Sequence, residues 1–196
     1  MTTATTKTTS PSVRVLAICG SLRRDSRNRR LLEIAAEMAP AGLHVELWDG
    51  LKEVPPFDED DEHDPALSVR RLRAALAAAD GVLIATPEYN GSLPGQLKNA
   101  LDWASRPYDS NVLRGKPVAV VGASPGRGGA AGGVADARRV LATIGARVLD
   151  RKVSVARVHD RFDEEDSLVD VELGDALAAT VDDVARESRT ELGLVA

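Results

Sequence analysis

The residues that most clearly point to chemistry are a group of arginines directly after the first apolar run. Five of them stand within the ten residues that follow Gly20: Arg23, Arg24, Arg27, Arg29 and Arg30. A helix is predicted to begin here, and each cation at a helix N-terminus costs about 0.3–1 kcal/mol. A bound phosphate offsets that cost, because its oxygens accept hydrogen bonds from backbone N–H groups, hydroxyls and guanidinium groups.

We therefore expect residues 20–26, the first loop, and the start of the following helix to bind a phosphate. The expected ligands are Ser21, Arg23, Ser26, Arg27 and Asn28. Arg24, Arg29 and Arg30 cannot all face one ligand, and we interpret them as a solvated basic surface. The glycine patterns of the Walker A loop and of the dinucleotide fingerprint are both absent at this place. The loop instead suits a single terminal monophosphate, such as that of FMN.

A second loop, residues 87–94, follows another apolar run and lies between Pro87 and Pro94. A flavin ring requires a flat apolar or aromatic surface and hydrogen-bond donors at its polar edge. Tyr89 and Asn90 could supply both, and we expect Pro87, Glu88, Tyr89, Asn90 and Gly91 to line such a ring. Taken by itself, this loop also reads as an ordinary turn, since Asn-Gly and proline are common turn formers.

The third loop, residues 124–130, opens with a Gly-x-Ser-x-Gly string that places Ser124 directly after a strand. This string is typical of serine hydrolases, and the order Ser124, Asp150, His159 is compatible with a triad. The oxyanion hole of such enzymes uses the backbone N–H of the residue after the serine, and Pro125 has none. We therefore reject the hydrolase and expect Ser124 to hydrogen bond to a flavin or to serve as a turn residue.

The elements that position these loops alternate between short apolar runs and segments of helical period. The nearly continuous apolar character of three runs is typical of strands buried on both faces of a parallel sheet. Ligands of such sheets bind at the carboxyl ends of the strands. The sequence thus predicts a single doubly wound α/β domain, and a last helix over about Ser167–Arg189. The predicted strands are Val13–Gly20, Leu43–Trp48, Gly81–Thr86, Pro117–Ala123 and about Arg147–Val155.

Composition excludes several other classes of protein. The 196 residues carry a formal net charge of −5 at pH 7, whereas non-specific nucleic-acid binding requires a positive excess. No apolar run approaches the roughly 20 residues that span a bilayer, so we expect no membrane partner. The single cysteine, Cys19, fits a reducing cytoplasm and a buried small side chain. Residues 1–11 lack the apolar core of a signal peptide and are expected to form a disordered leader.

We expect no metal site. The acidic run from Asp58 to Asp64 contains six carboxylates, but a charge run of this kind is usually a solvated loop. The three histidines show no ligand-pair spacing.

Several strings, in this order and spacing, resemble one known family. They are Gly20–Arg23 with Ser26 and Asn28, Pro55–Asp58, Asp80–Ile84, Pro87–Gly95, Leu97–Trp103 and Gly122–Ser124. Together they resemble the NADPH-dependent FMN reductase family of flavodoxin-like proteins, of the quinone, chromate and azo reductase type. The resemblance covers about residues 13–146.

The resemblance implies a flavodoxin-like five-stranded parallel sheet of order 2-1-3-4-5 in a domain over residues 12–190, followed by a tail over 191–196. It implies FMN as cofactor, with its phosphate on the first loop and its ring on the second, and NADPH or NADH as electron donor. Hydride would pass through the flavin to a quinone, a flavin or a similar acceptor by a ping-pong mechanism, with no catalytic side chain. A homodimer or homotetramer is also implied.

Two other functions share this fold. A non-catalytic electron carrier of the flavodoxin type remains open, although the first loop lacks the Thr- and Gly-rich character of such carriers. A receiver-type signalling domain would need acidic residues at the strand ends, where Gly20-Ser21 and Thr86-Pro87 stand instead. The acceptor, the preferred donor and the number of subunits are not determined by the sequence.

Overall fold

The computed structural model describes residues 12–194. These residues form a five-stranded parallel sheet of order β2-β1-β3-β4-β5, which confirms the predicted fold. The strands are β1 (Val13–Cys19), β2 (Leu43–Trp48), β3 (Gly81–Thr86), β4 (Pro117–Ala123) and β5 (Arg147–Val155). The helices are α1 (Arg27–Glu37), α2 (Leu67–Ala78), α3 (Gly95–Ala104), α4 (Ala131–Ile144) and α5 (Val171–Glu191).

Helices cover both faces of the sheet, which explains why its inner strands are almost entirely apolar. Every residue of β3 and β4 is buried. On one face, Leu72 of α2, Leu97 of α3 and Leu141 of α4 belong to one core. On the other face, Leu31 of α1 and Leu177 of α5 belong to a second core. Burial on both sides leaves the loops at the carboxyl ends of the strands as the place where polar side chains can gather.

The last helix differs from its predicted bounds. It begins at Val171 instead of Ser167, because Asp170 caps it by accepting a hydrogen bond from the Leu173 backbone N–H at 2.9 Å. Residues 163–167 form a separate turn around the Asp163 carboxylate, which accepts hydrogen bonds from the backbone N–H groups of Glu165 and Ser167. The predicted leader over residues 1–11 lies outside the described residues, as do the last two residues of the predicted tail. Within residues 12–194, no helix combines the length and the apolar character needed to cross a membrane.

Candidate functional site

The three predicted loops meet at the carboxyl edge of the sheet and enclose a cavity of about 230 Å³, which we call the loop cavity. The structure brings together nearly all of the predicted cofactor residues here. Asn90 and Gly91 are the two that do not line it. Its lining comprises Ser21, Arg23, Asp25, Ser26, Arg27, Asn28, Pro87, Glu88, Tyr89, Ala123, Ser124, Pro125, Val158 and His159.

Ser26 forms the N-terminal cap of α1 at the floor of this cavity. Its Oγ accepts a hydrogen bond from the Arg29 backbone N–H at 3.3 Å, and its carbonyl oxygen accepts one from the Arg30 N–H at 3.0 Å. The first backbone N–H groups of a helix have no partner within the helix. Because Ser26 satisfies the N–H of Arg29, those of Arg27 and Asn28 remain for a ligand. They lie at the positive end of the helix dipole, where an anion is favoured.

Two of the arginines are compensated by carboxylates of the protein itself. Arg29 pairs with Glu33 at 3.1 Å and with Asp49 at 2.5 Å, and the hydrogen bond that Arg29 donates to the Asp49 carboxylate raises the pKa of Arg29. Arg30 pairs with Glu37 at 2.9 Å, a contact that raises the pKa of Arg30. This placement agrees with their interpretation as a basic surface, and it shows that no ligand is needed to balance their charge.

The other three arginines differ in what they contact. Arg27 pairs with the Asp166 carboxylate, and its guanidinium carbon lies 4.7 Å from the centre of the Phe162 ring. Arg23 and Arg24 are exposed, and within residues 12–194 neither forms an ion pair. Arg23 lines the loop cavity and Arg24 does not. Arg23 is therefore the cation at this site whose charge a bound anion could neutralise.

Asn28, a predicted phosphate ligand, has both ends of its side-chain amide bound to the main chain of Ala123. Its Nδ2 donates to the Ala123 carbonyl oxygen at 3.0 Å, and its Oδ1 accepts from the Ala123 N–H at 2.9 Å. The side chain is 5% exposed. This pair of hydrogen bonds fixes the end of β4 against the start of α1, so the structure makes Asn28 a link between the first and third loops.

The second loop contains a tight turn that presents Tyr89 at the mouth of the cavity. The N–H and carbonyl groups of Tyr89 and Ser92 are paired at 3.0 and 3.2 Å. Asn90 and Gly91 between them have φ angles of 53° and 78°. Positive φ at both central residues is typical of a type I′ turn, for which Asn-Gly is the preferred sequence. Asn90 and Gly91 thus shape the loop, while the Tyr89 ring, 49% exposed, faces the opening.

Glu88 attaches the second loop to the beginning of α4. Its carboxylate accepts hydrogen bonds from the backbone N–H groups of Gly132 at 2.7 Å and Gly133 at 3.3 Å. The two chains approach so closely that a Cβ on Gly133 would lie 2.5 Å from the Pro87 carbonyl oxygen. Sequence reasoning missed this pair of glycines, and their adjacency at the start of a helix was the available signal.

A second contact between the same elements joins Ser92 to Asp136 of α4. The Ser92 hydroxyl donates to the Asp136 carboxylate, and Arg139 pairs with the same carboxylate at 2.5 Å. Together they lower the pKa of Asp136, with the Ser92 hydrogen bond as the larger cause. The second loop is therefore held on α4 at both of its ends.

The third loop does not have the geometry of a serine hydrolase. Ser124 Oγ accepts a hydrogen bond from the Gly126 N–H at 3.1 Å. Asp150 lies in the middle of β5, opposite the segment between Val118 and Val120. At about 3.3 Å per residue, Ser124 is roughly 16 Å further along the sheet. A triad with Asp150 cannot form, which agrees with the rejection of this function.

His159 lines the loop cavity although no motif indicated it as a ligand. It also lines a second cavity of about 460 Å³ that lies beside the first and is lined by all five arginines of the group after Gly20. We call this second space the arginine cavity. The sequence had suggested His159 only as a triad member, because nothing in its local pattern shows which loop it approaches.

Cys19 and the acidic run, neither of which is expected to act as a chemical group, have defined surroundings in the structure. The Cys19 thiol lies 3.4 Å from the Ser21 carbonyl oxygen and 3.8 Å from Ser26 Oγ, and burial raises its pKa. Within residues 12–194 no group of three or more His, Cys, Asp or Glu side chains is placed to hold a metal ion. In the acidic run, Glu62 instead pairs with Arg106 at 3.6 Å.

Several known proteins are similar to this chain in sequence. The family described as NADPH-dependent FMN reductase matches residues 13–160. The chain is 43% identical over 120 residues to a 2-hydroxy-1,4-benzoquinone reductase of a Burkholderia species, covering 61% of this chain and 65% of that protein. It is 40% identical over 165 residues to an NAD(P)H-dependent FMN reductase of Pseudomonas aeruginosa, covering 82% of this chain and 87% of that protein.

Among solved structures, the chain is similar to FerB of Paracoccus denitrificans, a flavoenzyme NAD(P)H:(acceptor) oxidoreductase. The TM-score is 0.82 at 34% sequence identity, and the match covers 91% of this chain and 98% of FerB. The matched region thus spans slightly less than two thirds of the benzoquinone reductase and nearly the whole of FerB.

Proposed function

Because the chain belongs to the NADPH-dependent FMN reductase family, we propose that it is a flavin-dependent oxidoreductase. It takes electrons from NADPH or NADH and delivers them to a quinone, a flavin or a similar small acceptor. The relatives named for quinone and FMN reduction support this activity. The observation that carries it is the meeting of three separate loops around one cavity at the carboxyl edge of the sheet.

The residues of the first loop fit the phosphate of FMN. The N–H groups at the start of α1, the hydroxyl of Ser21 and the guanidinium of Arg23, which forms no ion pair among residues 12–194, are the donors that a phosphate dianion requires. Ser26 caps the first turn of α1. Arg27 follows Ser26, and its guanidinium is positioned by its contacts with Asp166 and Phe162. In this proposal the first loop holds the phosphate ester and keeps the cofactor in place.

The residues of the second and third loops fit the flavin ring of FMN. Pro87 and Glu88 form a wall that the hydrogen bonds to α4 hold rigid, and Tyr89 adds an aromatic surface at the mouth. Ser124 of the third loop adds a hydroxyl to the cavity lining. FMN supplies the hydride and electron transfer chemistry when bound, and the protein positions it and sets its electrostatic surroundings. No side-chain acid or base is assigned.

The expected position of the flavin ring has a kinetic consequence. Donor and acceptor would reach the ring in turn at the exposed side of the loop cavity beside Tyr89, so we expect a ping-pong mechanism with parallel lines in double-reciprocal plots. Intersecting lines would contradict this alternation. Purified protein should oxidise NAD(P)H in the presence of a quinone, and binding of FMN without such oxidation would instead support an electron carrier.

We further propose that the protein works in the cytoplasm as a homodimer or homotetramer. A nicotinamide donor and a free Cys19 thiol both fit a reducing compartment. The family resemblance supports the oligomer, with α3 contributing to the contact. Sedimentation velocity distinguishes the two assemblies from each other and from a monomer.

The binding proposal is tested with FMN titrations of the wild type and two arginine variants. Arg23→Ala removes a charged donor from the loop cavity, and a hydrogen bond to a charged group contributes about 1.5–3 kcal/mol, so we expect the Kd to rise roughly ten- to a hundredfold. Arg24→Ala is the matched control, because it removes the same charge from a neighbouring residue that does not line this cavity. A wild type that binds no FMN, or equal effects of the two variants, would contradict the proposal.

A further inference from the structure

His159 stands where the loop cavity and the arginine cavity join, and it lines both. Its side chain is exposed, and within residues 12–194 its imidazole has no hydrogen-bond or ion-pair partner from the protein. The cavities have four other residues in common: Arg23, Asp25, Ser26 and Arg27. The imidazole thus faces the same space as the expected phosphate ligands, although it comes from a segment about 130 residues further along the chain.

The main chain that leads into His159 is fixed to the third loop. The Val158 N–H donates to the Ser124 carbonyl oxygen at 3.1 Å, and the Arg157 N–H donates to that of Gly126 at 3.2 Å. The Val158 side chain is 2% exposed. The short helical turn Val158–Arg161 is therefore attached to the third loop, which places His159 at a defined position on the cavity wall.

The segment that follows His159 is attached to α1 in the same way. Phe162 is buried and lies against the Arg27 guanidinium. The Asp166 carboxylate pairs with Arg27, and the Asp166 carbonyl oxygen accepts a hydrogen bond from Arg30 Nε at 3.1 Å. The segment from Val158 to Asp166 therefore adds a fourth side to the two cavities, and it is connected to the third loop at one end and to α1 at the other.

The charges around the imidazole favour an anion. Arg23 lines the same two cavities and forms no ion pair with a carboxylate in the described part of the chain, residues 12–194. Arg27 faces it from the start of α1, and the Asp166 carboxylate is bound to Arg27. Asp160, next in sequence, pairs with Arg157 at 3.7 Å. The remaining carboxylate in the shared lining is Asp25, which is exposed. An imidazole N–H is a good donor to a phosphate oxygen.

From this placement we infer that His159 donates a hydrogen bond to a phosphate ester bound at the junction of the two cavities. The inference rests on the proposed function, because the ester belongs to the proposed cofactor or electron donor. It is either the 5′-phosphate of FMN or the 2′-phosphate that distinguishes NADPH from NADH. Both sources have the same chemistry, and a comparison of each ligand with its counterpart that lacks the phosphate separates them.

The test measures binding to purified wild type, His159→Ala and His159→Gln. FMN and riboflavin are titrated into the apoprotein by flavin fluorescence, and NADP⁺ and NAD⁺ into the FMN-loaded protein by calorimetry. Loss of one hydrogen bond weakens affinity by about tenfold. We expect His159→Ala to weaken FMN binding by that factor and to leave riboflavin binding unchanged. His159→Gln keeps an N–H donor and should weaken FMN binding less. His44→Gln is the matched control, since His44 is exposed on the edge strand β2.

The outcomes separate this inference from the proposed function. If the variant binds FMN more weakly and riboflavin unchanged, His159 contacts the phosphate of the flavin. If it binds NADP⁺ more weakly and NAD⁺ unchanged, His159 contacts the 2′-phosphate of the dinucleotide. Either result supports the inference. Unchanged affinities for all four ligands overturn the inference, as does equal weakening of FMN and riboflavin, which would place the contact away from the phosphate. A wild type that binds no FMN overturns the proposed function instead.

Discussion

Replacing Asn28 by alanine tests whether this side chain holds the site together or binds the cofactor. In the structure its amide makes two hydrogen bonds to Ala123, one in each direction, at 3.0 and 2.9 Å. Asn28 is 5% exposed and Ala123 is 2% exposed. In Asn28→Ala the main-chain N–H and carbonyl of Ala123 lose their partner in a place that water reaches poorly.

The expected loss of stability follows from these two groups. An unsatisfied buried donor or acceptor costs about 1–3 kcal/mol. With partial relaxation, we expect the free energy of unfolding to fall by about 2–4 kcal/mol. For a domain of this size, each kcal/mol lowers Tm by about 2–4 °C, so Tm should drop by roughly 4–16 °C. Asn28→Asp keeps the acceptor for the Ala123 N–H but places a carboxylate beside the Ala123 carbonyl, so it should not restore stability.

The assay is urea unfolding of the apoprotein, followed by circular dichroism, with FMN titrations of the same variants. A lower midpoint with an unchanged m value would show that Asn28→Ala changes stability and not the extent of unfolding. The reasoning is refuted if apoprotein stability stays within about 0.5 kcal/mol of the wild type, the range of ordinary surface substitutions, while FMN affinity falls. That result would make Asn28 a direct ligand, as its position in the sequence had suggested.

Three further perturbations follow from the contacts of the second loop and of β1. Gly133→Ala should lower Tm by several degrees and weaken FMN binding, because its Cβ would lie 2.5 Å from a carbonyl oxygen of the second loop. In Asp136→Asn, the free energy of unfolding should decrease less steeply than in the wild type as the pH falls. The Ser92 hydroxyl lowers the folded pKa of Asp136, and the stability this gives is present above about pH 4 and lost as the pH falls through the folded pKa. Cys19 should react slowly with iodoacetamide at pH 7 in the folded protein and rapidly in urea, because burial raises the pKa of its thiol.

Each of these three predictions has a control or an outcome that would contradict it. Gly95→Ala in α3 meets nothing within 4 Å and should leave Tm unchanged or slightly raised, so equal damage from both glycine variants would contradict the close approach of the loop to α4. Parallel acid curves for wild type and Asp136→Asn would show that the carboxylate does not hold the loop. Rapid alkylation of Cys19 in native protein would contradict its burial.

The fold could be predicted from the sequence because the signal is local and repeated. A run such as Val118–Val121 is apolar at every position, which identifies a strand covered on both faces without knowledge of its neighbours. The carboxyl ends of such strands share one edge, so the meeting of the three loops followed from topology. The family identification rested on the same loops and is confirmed by the match over residues 13–160.

The roles of individual side chains depend on partners that are distant in sequence. The pairing of Arg29 with Glu33 can be predicted from their spacing of four residues, but its pairing with Asp49 cannot. Asn28 stands beside other phosphate-binding residue types, and its actual partner lies 95 residues away. The sequence therefore predicted that these loops meet, whereas the partners of their polar atoms required the three-dimensional arrangement.

Some arginines near the start of α1 are paired with carboxylates and others are not, and this difference affects the rate at which a ligand binds. Carboxylates of the protein balance Arg29 and Arg30, whereas Arg23 and Arg24 are exposed to water and form no ion pair with any of the described residues 12–194. Exposed charges act on an approaching anion over a Debye length, about 10 Å at 0.1 M salt. They accelerate its association more than they prolong its residence. Rising ionic strength should then slow the capture of a phosphorylated ligand and leave its departure nearly unaltered.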